Sequence, residues 1–167
     1  MEKQAICTEH LTKYYGKARG IRDLNLAVSP GEFFGFIGPN GAGKSTTIRT
    51  LLGLITANSG RARVLGLDPS GRDRKEILRR VGYLPSDTAL YAGLTVKDML
   101  KLSAGLRGKD CSAGAEELCE RLQLETEKKI EDLSFGNRKK TGIVCALQHE
   151  PELLILDEPT GGLDPLM

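Results

Sequence analysis

Gly38-Pro39-Asn40-Gly41-Ala42-Gly43-Lys44-Ser45 is the stretch that decides the reading of this chain. It fits G-x-x-x-x-G-K-[ST], a pattern that average residue usage gives by chance in under about 1% of chains this long. The apolar run Phe33–Ile37 before it predicts a buried strand. The pattern Lys44–Leu52 after it predicts a helix closed near Gly53. Strand, glycine-rich turn and helix in that order make a phosphate cradle. The glycines let backbone N–H groups turn inward, and the helix N-terminus adds positive potential. Lys44 can neutralise β- and γ-phosphates, and the Ser45 hydroxyl can ligate Mg²⁺. Gly38, Pro39, Asn40, Gly41, Ala42, Gly43, Lys44, Ser45 and Thr46 are therefore the candidate phosphate contacts.

Downstream, Leu153-Leu154-Ile155-Leu156-Asp157-Glu158 is an apolar strand delivering two carboxylates at its C-terminal end. The continuous apolar run predicts a parallel-sheet strand buried on both faces, and ligands of open parallel sheets bind at that end. Alternation along the strand sends the two side chains different ways. Asp157 can hold Mg²⁺ through its water shell, and Glu158 can polarise an attacking water.

Between these sites, Ile6–Thr12, Ile21–Val28, Arg61–Leu65 and Val81–Leu84 predict strands, with a turn at Ser29-Pro30-Gly31. Arg72–Arg80 and Asn137–Gln148 predict helices, and Val96–Leu124 carries helical periodicity twice, broken around Gly105–Gly108. The whole predicts an α/β fold.

The 167 residues suit one domain with a proper core. Net charge is +2 with both signs interspersed, so the basic runs Arg72–Arg80 and Arg138–Lys140 predict solvated helix faces, and nucleic acid is not an expected partner. Cys7, Cys111, Cys119 and Cys145 form no C-x-x-C pair and predict free thiols, several of them core-filling, in a reducing compartment. The start lacks a signal-peptide pattern and no stretch approaches the roughly 20 apolar residues of a membrane span, which predicts a cytoplasmic protein. His10 and His149 are expected on the surface.

The phosphate loop and acidic strand alone also allow a small-molecule kinase or a GTPase, but an Asn-Lys-x-Asp guanine motif is absent. Leu133-Ser134-Phe135-Gly136-Asn137 lies upstream of the acidic strand, and Pro159-Thr160-Gly161-Gly162-Leu163-Asp164 follows Glu158. With Tyr15 before Gly16, this ordered set resembles the ATP-binding subunits of ATP-binding-cassette (ABC) transporters, most like the bacterial drug, peptide or ion exporter branch. The resemblance implies a P-loop NTPase (RecA-like) core with a mainly parallel sheet, an N-terminal antiparallel β part and an inserted helical subdomain. It implies one domain over 1–167, with residues 1–85 and 150–167 as core and 86–149 as helical signature subdomain.

Functionally, the resemblance implies ATP and Mg²⁺ as ligands, Tyr15 stacking on adenine, and Lys44, Asp157 and Glu158 as the catalytic set. It implies a homodimer in which Ser134 and Gly136 of one copy face the Gly38–Thr46 loop of the other, with Asp164 coupling the sites. An integral membrane permease would be the partner, holding the subunit at the inner face of the cell membrane. The alternatives are a non-transport ABC ATPase acting on ribosome or DNA, or a truncated nucleotide-binding module with little turnover.

The sequence also departs from the family pattern. Ser86, then Asp87, stands where the family places a glutamine that senses Mg²⁺ and water, so either is a further metal candidate. Phe135 replaces a signature glycine and Asn137 the signature glutamine. The family's switch histidine lies on a strand beyond the catalytic glutamate, so the resemblance implies a domain incomplete after Met167.

Overall fold

A computed structural model of the protein describes residues 4–16 and 18–159. Two compact units emerge, Met1–Leu78 and Arg79–Met167.

The first unit is built on an antiparallel sheet of order β2-β1-β3, from β1 (Ile6–Tyr15), β2 (Ala18–Val28) and β3 (Ser59–Val64). β1 runs centrally, with Ile6 opposite Val28 on one side and Val64 on the other. Register shifts between Thr8 and Leu11 and on to Tyr14 mark where strict alternation slips in the sequence. Leu11, Ile21, Val28 and Val64 are buried, and Ile48, Leu51 and Leu52 of helix α1 (Lys44–Leu51) and its C-cap are buried too. α1 packs against β2 and β3, as a stripe of apolar residues on an otherwise polar helix requires.

Phe33–Ile37 is not a strand. The segment pairs with nothing among the described residues, and Ile37 is 94% exposed. An apolar run supplies side chains for a sheet but no hydrogen-bonding neighbour, and neither edge of the β2-β1-β3 sheet takes it.

The second unit opens in the last turn of α2 (Arg74–Arg80) and pairs β4 (Val81–Leu84) with β5 (Leu153–Leu156) in parallel, Val81 opposite Leu153 and Leu84 opposite Leu156. Helices α3 (Val96–Arg107), α4 (Ser112–Leu122) and α5 (Phe135–Leu147) intervene, with a short 3₁₀ turn at Ile130–Asp132. Val96, Leu100, Cys119, Leu124, Ile130, Leu133 and Val144 form its core. Thr95 caps α3, its hydroxyl accepting from the Asp98 N–H at 3.1 Å. β4 lies so close to α5 that a Cβ on Gly82 would sit 2.3 Å from the Ala146 carbonyl oxygen.

β5 is not buried on both faces as its sequence predicts. Ile155 is buried, but Leu154 and Leu156, which alternation places on the opposite face, are 37% and 42% exposed, so only one face of the strand is well covered. Cys111 and Cys119 do fill core positions, and all four cysteines are free thiols. No helix among the described residues is long and apolar enough to cross a membrane.

Candidate functional site

The first unit holds the phosphate loop and Tyr15. Gly41 and Gly43 adopt positive φ, and Gly43 at φ 93° forms the N-cap of α1. A Cβ there would lie 2.2 Å from the Gly20 carbonyl oxygen, so the position needs glycine for conformation and for space. No side chain caps α1 and no acidic residue sits in its first turn. Its leading N–H groups, at Lys44, Ser45 and Thr46, lack intrahelical partners, which is the arrangement that attracts an anion.

Lys44 is folded back over the loop, its ammonium donating to the Gly38 carbonyl at 2.5 Å and the Pro39 carbonyl at 3.1 Å. That places a positive charge across the mouth of the loop, while Asn40 and Ala42 are exposed on its rim. Thr47 bonds back to the Gly43 carbonyl at 2.9 Å and so stiffens the first turn. Tyr15 is half-exposed, with the Lys13 ammonium 5.6 Å from its ring centroid. Gly20 links the two features: a Cβ on it would lie 3.3 Å from both the Tyr15 ring and the Thr46 methyl. The aromatic ring and the head of α1 thus flank one glycine.

The second unit holds the carboxylates, the signature and Ser86–Asp87. Asp157 is buried at the end of β5, its N–H donating to the Leu84 carbonyl at 2.9 Å. Glu158 is exposed, and its φ of 52° lies in the left-handed region, a conformation that costs a non-glycine residue about 1–3 kcal/mol. The expected divergence of the two carboxylates is therefore present, one buried beside β4 and one exposed on a strained backbone.

Ser134 is the N-cap of α5, its hydroxyl accepting from the Asn137 N–H at 3.2 Å, and Gly136 follows in the first turn. Ser86 and Asp87 are exposed beyond β4. Asp164 lies outside the described residues, with most of the segment that begins at Pro159.

Two side chains differ from their sequence reading. Lys139 is no solvated face residue: it is 3% exposed, and its ammonium donates to the carbonyls of Ser86 at 3.2 Å and Pro85 at 3.4 Å. Lys139 shares a helical face with the buried Gly142 and Ala146. It ties the signature helix to the loop carrying Ser86. His149 is also buried, not on the surface. Burial first, and then the nearby Arg107 cation, hold its imidazole down at about 4.

The residues present fit a nucleoside triphosphate. An uncapped helix head, a loop of positive-φ glycines and a lysine spanning it present donors and positive charge and no carboxylate. Ser45, in the first turn of α1, and the buried Asp157 are hard oxygen donors of the kind Mg²⁺ takes.

Comparison with known proteins gives the same class. Residues 21–161 match the ABC transporter family model, and the chain belongs to that family. It is 45% identical to the bacitracin transport ATP-binding protein BcrA of Bacillus licheniformis, across 96% of this chain and 53% of that protein. It is 39% identical to the probable multidrug ABC transporter ATP-binding protein YbhF of Escherichia coli, across 95% of this chain and 28% of that one. The chain thus spans about half the length, or less, of these relatives. Among solved structures, an ATP-binding subunit of an ABC transporter superposes with a TM-score of 0.86 at 33% identity, over 97% of this chain and 69% of that one. The α/β P-loop fold expected from the sequence is the fold of these neighbours.

Proposed function

We propose that the chain belongs to an ATP-binding subunit that binds and hydrolyses ATP to drive transport by a membrane-embedded partner. The observation that carries this reading is the loop itself: α1 has an open, uncapped N-terminus with Lys44 bridging the loop carbonyls. The names of the relatives, which concern transport and its ATP-binding subunits, support the coupling to a permease.

In this reading Gly38–Thr46 wraps the phosphates with backbone N–H groups, and Lys44 exchanges the Gly38 and Pro39 carbonyls for phosphate oxygens. Tyr15 stacks on the adenine ring. Ser45 and Asp157 would hold Mg²⁺, with Ser86 or Asp87 as further donors; when bound, the ion neutralises developing phosphate charge. Glu158, the exposed carboxylate, takes a proton from the attacking water. A second copy of the chain supplies Ser134 and Gly136 toward the γ-phosphate, and Asp164 couples the two sites. The subunit would sit at the inner face of the cell membrane through its permease.

Glu158→Gln tests the assignment. It keeps the shape and removes the base, so ATP should still bind while turnover falls about 10²-fold or more. Binding isotherms and phosphate release measure the two effects separately. Parent-rate turnover in the variant would move the base to another residue, Asp87 being the first to examine.

A further inference from the structure

β4 and β5 end side by side. Leu84 pairs with Leu156, and the Asp157 N–H donates to the Leu84 carbonyl at 2.9 Å, so the chain leaves both strands at one edge of the sheet. Ligands of parallel sheets bind at that edge. Asp157 and Glu158 follow β5, while Ser86 and Asp87 follow β4 after Pro85, whose missing N–H stops the ladder. Beyond Pro85 the strand no longer fixes the path of the backbone.

α5 fixes it instead. The Lys139 ammonium donates to the Ser86 carbonyl at 3.2 Å and to the Pro85 carbonyl at 3.4 Å. Among the described residues these are the two hydrogen bonds that join residues 85–88 to α5. Thr88 contributes shape and no bond. Its methyl lies 2.5 Å from where a Cβ on Gly142 would stand, and its hydroxyl is buried without a partner among the described residues.

Stability does not account for a lysine at this position. Lys139 is 3% exposed and joins no ion pair among the described residues. A buried ammonium without a carboxylate carries a desolvation penalty that an apolar side chain of similar length would avoid. What the ammonium does, and a methionine could not, is hold two carbonyls of one loop.

We propose that Lys139 is a positioning residue for ATP hydrolysis, holding the Ser86–Asp87 loop beside Asp157 through its grip on the Pro85 and Ser86 carbonyls. α5 carries Ser134 at its N-cap and Lys139 in its second turn, so one helix bears both the signature serine and the anchor of the loop. The role in hydrolysis rests on the proposed ATPase function; the anchor itself does not.

Lys139→Met keeps an unbranched stem and removes the donors. In the nucleotide-free full chain, the ¹⁵N order parameters of Ser86 and Asp87 should fall from about 0.85 to below about 0.6, while those of Tyr83 and Ile155 stay near 0.85. The urea midpoint should not drop. With MgATP, kcat should fall about tenfold or more and KM should stay within about twofold, because the loop is misplaced while the phosphate cradle is intact. Ser86→Ala with Asp87→Ala should lower kcat by a similar factor, and adding Lys139→Met to that pair should lower it no further. Unchanged order parameters would overturn the anchor, and an unchanged kcat would overturn its role in hydrolysis. A kcat loss that comes only with a lowered urea midpoint would make Lys139 structural, and losses that multiply in the triple variant would place its action away from the loop. A parent chain that releases no phosphate from MgATP would overturn the ATPase reading and the hydrolytic role with it, while the order parameters would still decide the anchor.

Discussion

Two apolar runs in this molecule end in chemistry, and they have different fates. Phe33–Ile37 leads into the phosphate loop and lies exposed without a strand partner among the described residues. Leu153–Leu156 leads into Asp157 and Glu158 and is a strand, paired in register with Val81–Leu84. Both are short and apolar, the first aromatic and interrupted by Gly35, the second wholly aliphatic. What separates them is the neighbour: β5 exchanges backbone hydrogen bonds with β4, and β4 is in turn pressed against α5 at Gly82. An apolar run states that a segment is suited to a sheet, while the sheet must be supplied from elsewhere.

The largest expected effect tests that contrast directly. Ile155 is buried in β5 opposite Tyr83, so Ile155→Ala should lower unfolding free energy by about 2–4 kcal/mol. Ile37→Ala, at a site 94% exposed, should change it by no more than about 0.5 kcal/mol. Urea titration of both variants makes the measurement. Equal costs would show that Phe33–Ile37 is paired in solution, and the contrast between the two runs would disappear.

The same contrast explains what could be read from sequence. Val81–Leu84 and Leu153–Leu156 are legible to the residue because each is a short apolar run ended abruptly, one by Pro85 and the other by Asp157. The helices are legible to within two residues at most ends, since apolar periodicity runs the length of each. The phosphate loop is legible because its chemistry is local: glycines, lysine and helix head are contiguous. Lys139 and His149 were misread for the opposite reason. Their burial depends on which helix face and which chain end meet the rest of the second unit, and a lysine among basic neighbours or a histidine beside Glu150 carries no local sign of it.

His149 sharpens the comparison from the side of the second unit. Its folded value of about 4 lies below the ordinary value of 6.5. Between those values the unfolded chain binds the proton and the folded chain does not, so stability is complete above about pH 6.5 and falls as pH drops toward 4. The loss is at most about 3 kcal/mol. Urea midpoints at pH 7.5 and pH 5 should differ more in the parent than in His149→Leu. An identical pH response in both would remove His149 as the cause. The buried imidazole belongs to the second unit, and the described part of the first unit offers no counterpart, because its His10 is exposed and bonded to Asp23 at 2.6 Å.

A smaller effect probes the loop of the first unit. Lys44→Ala removes the charge that spans Gly38 and Pro39, and MgATP affinity should fall at least about tenfold, or 1.4 kcal/mol. Calorimetry with MgATP makes the measurement. Unchanged affinity would remove the loop from the nucleotide site, and with it the reason for an uncapped α1.

The smallest effect compares the two helix heads. α5 begins at Ser134, whose hydroxyl accepts from the Asn137 N–H; α1 begins at Gly43, which offers no side chain. Ser134→Ala should cost about 1 kcal/mol of stability, the ordinary value of a lost cap. That alone does not separate capping from the proposed contact to the γ-phosphate across a dimer. Ser134→Asp does. Aspartate is as good a cap as serine, so stability should stay within about 0.5 kcal/mol of the parent, but its charge would face phosphate. ATP-dependent dimerisation of the Glu158→Gln protein, followed by light scattering, should therefore be lost on adding Ser134→Asp while urea stability is kept. Retained dimerisation would confine Ser134 to its capping role. The reverse experiment, giving α1 a cap by Gly43→Ser, is closed by geometry: φ of 93° and a Cβ 2.2 Å from the Gly20 carbonyl oxygen exclude the serine. One helix head is finished by its own side chain and the other is held open by its backbone, and the open one is the head that can receive an anion.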